Sequence, residues 1–95
     1  MVPIYPPVAK EIWFVYMVRC CDGTLYTGIT KDLEKRIAAH NSGKNGARYT
    51  RSRRPVRLIY SEQTESKAAA ARLEYRIKKL KRSKKNNLIN NEAED

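Results

Sequence analysis

WFVYMVRCCDGTLYTGITKDLEKRIAAH, residues 13–40, reads as two strands joined by a tight turn at Asp22 and Gly23, then a helix. Residues 12–19 form a nearly unbroken apolar and aromatic run, the pattern of a central strand buried on both faces. Asp-Gly is a strong hairpin signal because glycine supplies the positive φ that a turn between right-twisted strands needs. Residues 24–29 then return as the antiparallel neighbour. Alternate side chains share a strand face, so Phe14 projects with Tyr16 and Thr24 with Tyr26. Gly28 marks either a bulge, the commoner reason, or a close approach of another group. Asp32 caps a helix expected over residues 33–41, with Leu33, Ile37 and the edge of His40 on one stripe and Arg36 and His40 neighbouring on its flank. Two tyrosines, an arginine and a histidine can thus converge at one sheet edge.

The next stretch, residues 41–55, is rich in glycine and arginine. Arg48, Arg51, Arg53 and Arg54 surround Tyr49 with no acidic residue among them. It reads as a solubilising loop or as a phosphate-gripping flap with Tyr49 free to stack, and the unrelieved like charge favours the flap. Residues 56–60 alternate as a third strand. Thr64 is placed to cap a long helix over residues 67–82, in which Ala69, Ala70, Leu73, Ile77 and Leu80 form the covered face. The opposite face, with Arg72, Arg76, Lys79 and Lys81, is solvated or lies along a phosphate backbone. Ser83 is placed to cap a short last helix carrying Asn86, Asn87, Leu88 and Ile89. The pattern gives one α+β domain over residues 12–89, a loose proline-bearing arm at 1–11 and a frayed acidic tail at 90–95.

With 95 residues, the chain has apolar surface for one modest core. Twenty Lys and Arg face ten Asp and Glu, a net charge of +10, which points to a polyanionic partner and first to nucleic acid. An anionic membrane surface would call for an amphipathic helix with bulky exposed apolar residues, and no stretch offers one. No apolar run approaches the length needed to span a bilayer, and the N-terminus has no leader pattern, so a cytoplasmic protein is expected. Adjacent Cys20 and Cys21 point to opposite strand faces and read as free thiols of a reducing compartment. Neither has a metal-binding spacing.

Glu74 is the one acidic residue between Ser66 and Asn91. It can simply pair with Lys78 one turn on, for about 0.2–0.5 kcal/mol. It also borders the buried stripe, where a carboxylate among phosphate-attracting cations can hold one divalent ion. Tyr16 and Tyr26 taken singly are good strand residues, and His40 and Arg36 taken singly are ordinary surface groups. The combination is what points to a site.

These residues resemble the GIY-YIG nuclease domain family. Phe14-Val15-Tyr16 and Tyr26-Thr27-Gly28 stand where that family has its two tripeptides, Arg36 where it keeps a helix arginine, and Glu74 where it keeps a metal-binding glutamate. The match is nearest to the small stand-alone YhbQ-like branch, whose LYTGITxDLxxRxxxH pattern is met by residues 25–40 and whose later segment resembles GARYTRSRRPVRLIY. It departs at Phe14, Val15 and Thr27.

The resemblance implies a small three-stranded antiparallel sheet flanked by helices in the order β-β-α-β-α-α, and metal-assisted hydrolysis of DNA phosphodiesters. It implies that Arg36 steadies the scissile phosphate, that Glu74 binds one Mg²⁺ or Mn²⁺, and that Tyr16 or Tyr26 orients or deprotonates water. His40 takes the place of a tyrosine of the repair-enzyme branch and is a further candidate base. Asn86, or Asn87, corresponds loosely to a phosphate-side asparagine. DNA is the expected partner, with RNA not excluded. No membrane partner is expected, and a protein partner is one possible source of target choice. The competing reading is a non-catalytic nucleic-acid-binding module on a nuclease-like fold, gripping phosphates through Arg48, Arg51, Arg53, Arg54 and Lys79.

Overall fold

The computed structural model describes residues 11–42 and 47–94. Apart from Glu11, the N-terminal arm lies outside them, as do residues 43–46 of the flap. Three strands, β1 (Trp13–Arg19), β2 (Leu25–Thr30) and β3 (Arg57–Thr64), form one antiparallel sheet in the order β2-β1-β3. The apolar run is therefore the central strand, as its two-sided hydrophobicity requires. Helices α1 (Leu33–Ser42), α2 (Arg48–Arg51), α3 (Lys67–Lys78) and α4 (Arg82–Glu94) complete the chain.

The period of two divides β1 between two cores. Val15 and Met17 pack with Tyr60, Ala70 and Ile77 beneath α3, and Leu73, Leu88 and Ile89 close that layer. Tyr16, Val18 and Cys20 face the other way, with Val56 and with Leu33 and Ile37 of α1.

Several junctions differ from the sequence reading, for local reasons. The hairpin is closed by paired Cys20 and Thr24, with Cys21, Asp22 and Gly23 between them, and Gly23 at φ +85° takes the left-handed position. Gly28 is not a bulge: the sheet irregularity falls between Met17 and Val18, against β3. Asp32 caps α1 by accepting from the Lys35 amide at 3.1 Å. Thr64 does not cap α3. It ends β3 opposite Trp13, its hydroxyl donating to the Trp13 carbonyl, and Ser66 caps the helix by accepting from Ala69 N at 3.1 Å. The helix expected over residues 67–82 stops at Lys78, where Lys79 and Leu80 donate to carbonyls three residues back; the last helix begins at Arg82, so Ser83 lies inside α4 and does not cap it. Unrelieved like charges in this segment give a continuous helix little support, and the break lets Leu88 and Ile89 fold back onto the core. Helix α4 runs on to Glu94, into the stretch expected to fray.

Candidate active site and its basic flap

Tyr16 on β1 pairs across the sheet with Gly28 on β2. A Cβ on Gly28 would lie 2.6 Å from the Tyr16 hydroxyl oxygen, so the glycine is the space through which the ring reaches the sheet edge. There the hydroxyl meets α1. His40 Nε2 is 2.7 Å away, and Arg36 Nε donates to the same oxygen at 3.2 Å. Arg36 is also hydrogen-bonded to Tyr26. The rings of Tyr16 and Tyr26 lie 5.8 and 5.3 Å from the imidazole centroid. The four residues that the strand and helix periods bring toward one edge are in fact one cluster.

A residue absent from the sequence reading completes it. Thr50, in the short helix of the flap, is fully buried, and its Oγ1 is 2.8 Å from His40 Nδ1. The Thr50 hydroxyl donates to the Ala47 carbonyl at 3.0 Å, which leaves its oxygen to accept from Nδ1–H. Nε2 is then the acceptor for the Tyr16 hydroxyl. Hydrogen bonds thus run from Arg36 to Tyr16, His40, Thr50 and the Ala47 backbone. Nothing in the local pattern marks a lone threonine between arginines; only its burial distinguishes it.

Charge and burial act consistently on this chain. His40 is 0 % exposed, and burial, with the Arg36 and Arg54 charges added, lowers its pKa to about 4. It is neutral at physiological pH. Burial raises the Tyr16 pKa, only partly offset by the Arg36 hydrogen bond, and the Glu74 charge raises it further. Burial works against the Arg36 charge, but its hydrogen bonds to the two tyrosines prevail and its pKa is raised.

The flap is more structured than an apolar-poor loop would be expected to be. Arg53 donates to the Asp22 carboxylate at 3.0 Å and to the Tyr49 carbonyl at 2.8 Å, and its guanidinium lies 4.1 Å from the Tyr49 ring centroid. Tyr49 stacks on Tyr26 with centroids 5.9 Å apart. Arg54 donates to the His40 carbonyl at 2.7 Å. The Asn41 amide pairs with both backbone groups of Val56 and so ties the end of α1 to the entry of β3. Of the four flap arginines, Arg53 and Arg54 thus brace the fold, while Arg48 and Arg51 are exposed.

Glu74 on α3 is at the rim, its side chain 23 % exposed, paired with Lys78 at 3.4 Å and within electrostatic reach of Tyr16. The pairing with Lys78 is thus present, in a carboxylate that stands at the rim of the cluster. Among the described residues no three His, Cys, Asp or Glu side chains gather as a metal cage. A single carboxylate fits a Mg²⁺-type ion that keeps most of its waters and takes further oxygens from a substrate phosphate. Lys79 caps α3 and lies over Tyr75 at 4.4 Å. Asn86 accepts from Arg82 at 3.3 Å, and Arg82 donates to the Gly23 carbonyl, which fastens α4 to the hairpin.

The chain is similar to known proteins over most of its length. A UPF0213 protein of Desulfotalea psychrophila is 51 % identical over 84 residues, covering 88 % of this chain and 76 % of its own. One from Staphylococcus saprophyticus is 53 % identical over 76 residues, 80 % of this chain and 92 % of the relative. The solution NMR structure of a UPF0213 protein from Bacillus halodurans matches with a TM-score of 0.54 at 46 % identity, covering 83 % of each chain. That of a protein from E. faecalis matches with a TM-score of 0.61 at 38 % identity, covering 90 % of this chain and 91 % of the other. The GIY-YIG catalytic domain matches residues 12–87, which include both tyrosines, Arg36, His40 and Glu74, and the chain belongs to that family.

Proposed function

We propose that the protein is a metal-dependent DNA endonuclease acting at the cluster of Tyr16, Tyr26, Arg36, His40 and Glu74. The observation that carries this reading is the seating of Arg36. Its guanidinium is half-buried, charged, and held by the Tyr16 hydroxyl, which is itself fixed by a fully buried histidine. A cation aimed in advance is what stabilises a phosphorane-like charge without reorganisation at the moment of reaction. Glu74 is the residue to hold one Mg²⁺ or Mn²⁺, which when bound supplies charge neutralisation at the phosphate.

The three candidate bases divide by burial. Tyr16 and His40 are both 0 % exposed, and both imidazole nitrogens are engaged inside the protein. Tyr26 is only half-buried, is hydrogen-bonded to Arg36, and is the one of the three that solvent reaches. Tyr26 is therefore the one to orient or deprotonate the attacking water, beside the Arg36 guanidinium. Tyr16 and His40 are the frame that aims Arg36. Tyr49 stacks on Tyr26, and with the exposed Arg48 and Arg51 of the same short helix it holds the flanking DNA.

Glu74→Gln tests the assignment. It is expected to lower Mg²⁺- or Mn²⁺-dependent cleavage at least about a hundredfold while DNA binding in chelator stays within about twofold, since the phosphate-gripping cations are untouched. Unchanged cleavage by this variant removes Glu74 from the reaction. DNA binding without cleavage by the wild-type protein in either metal favours the binding-module reading.

A further inference from the structure

The outer face of α3 is not used by the cluster just described. Arg72, Tyr75, Arg76 and Lys79 fall at i, i+3, i+4 and i+7 and make one exposed stripe. Tyr75 is 60 % exposed, more than any other large apolar side chain among the described residues. On the C-terminal side of its ring sits the Lys79 ammonium, 4.4 Å from the centroid. On the N-terminal side is an open groove of about 560 Å³, lined by Ala71, Arg72, Tyr75 and Arg76. Ala71 contributes only a methyl group there and leaves room for a flat ring against Tyr75.

The chemistry selects the occupant. Cations alone would suffice for duplex phosphates, whose bases are stacked away and offer no free face. An exposed tyrosine beside an open slot adds affinity only for a partner that is both anionic and flat-faced, which describes unpaired nucleotides. A membrane surface would want bulky apolar residues for insertion, and this stripe has one tyrosine among two arginines and a lysine. Glu74 is the next residue back along α3, about 100° around the helix axis, so a strand leaving the active site on that side reaches Tyr75 within one side-chain step.

We propose that the outer face of α3 binds an unpaired single-stranded segment of the DNA substrate, with one base stacked on Tyr75 and flanking phosphates on Arg72, Arg76 and Lys79. Resting on the nuclease reading above, this names the substrate class: duplex DNA carrying a single-stranded flap or branch.

Fluorescence anisotropy in chelator, where no cleavage can occur, tests the surface directly. A labelled flap and a flush duplex of the same paired sequence are titrated with wild type, Tyr75→Ala and Tyr75→Phe. Tyr75→Ala is expected to weaken flap binding about tenfold and duplex binding less than about twofold, with Tyr75→Phe close to wild type. Equal wild-type affinity for flap and duplex overturns the proposal, as does Tyr75→Ala binding the flap like wild type. A Tyr75→Ala variant that loses binding to phosphatidylserine vesicles but keeps flap binding also overturns it, in favour of a lipid surface. Cleavage with Mn²⁺ is then read separately. Tyr75-dependent flap binding without any cleavage by the wild type retains the surface and sinks the nuclease reading instead.

Discussion

Gly28 has no side chain because Tyr16 fills the space above it, and the two cannot be exchanged independently. A methyl group at position 28 would sit 2.6 Å from an oxygen that also holds Arg36 and His40. Gly28→Ala is therefore expected to cost about 1–3 kcal/mol, read from denaturant midpoints, and to lower cleavage more than binding, because the Tyr16 ring must tilt. Thr50→Val removes the acceptor of His40 Nδ1–H and leaves a buried donor unpaired. About 1–3 kcal/mol of stability should go with it, and Thr50→Ser should restore it. Nitrogen NMR of the imidazole should report the Nδ1–H tautomer in wild type and its loss of definition in the valine variant. The pH dependence follows from His40. Its unfolded pKa is near 6.5 and its folded pKa about 4, so between these values the unfolded chain binds the extra proton and stability falls as pH drops. The slope should be up to about 1.4 kcal/mol per pH unit, and His40→Gln should flatten it in urea titrations between these limits. At this scale the tyrosines, Arg36 and His40 were legible because strand and helix periods fix which side chains meet. Thr50 was not, since its role comes from a tertiary contact across a segment with no periodicity.

Between elements, the flap and the hairpin hold each other. Asp22 accepts from Thr24 within the turn and from Arg53 across to the flap, and these hydrogen bonds hold its carboxyl below the usual range. Asp22→Ala is expected to loosen residues 48–54 selectively, seen as faster amide exchange there with little change in β1. DNA binding should fall modestly, because Tyr49 loses the arginine that pins it. The sequence showed the turn, the central strand and the capped first helix through local signals that tertiary packing did not override. It placed the start of α3 but named the wrong cap, because Thr64 and Ser66 are both good caps and only pairing with Trp13 assigns Thr64 to the strand. It also ran α3 through the break at Lys79, which depends on how Leu88 and Ile89 return to the core.

Across the whole molecule, one small sheet carries two cores and presents its polar cluster at an edge between α1, α3 and the flap. A net charge of +10 favours any nucleic acid at every basic face, so affinity alone separates few readings and must be salt-sensitive under all of them. Family membership over residues 12–87 points to a nuclease-type function, and the proposed mechanism rests its geometry on the Arg36–Tyr16–His40 chain. The most direct test is cleavage of labelled duplex, nicked, flapped and branched DNAs in Mg²⁺, Mn²⁺ or chelator by wild type and Arg36→Ala. The account predicts metal-dependent cutting by wild type that falls at least about a hundredfold in Arg36→Ala, with flapped DNA preferred. Cutting that survives the loss of Arg36, or that proceeds in chelator, would contradict it.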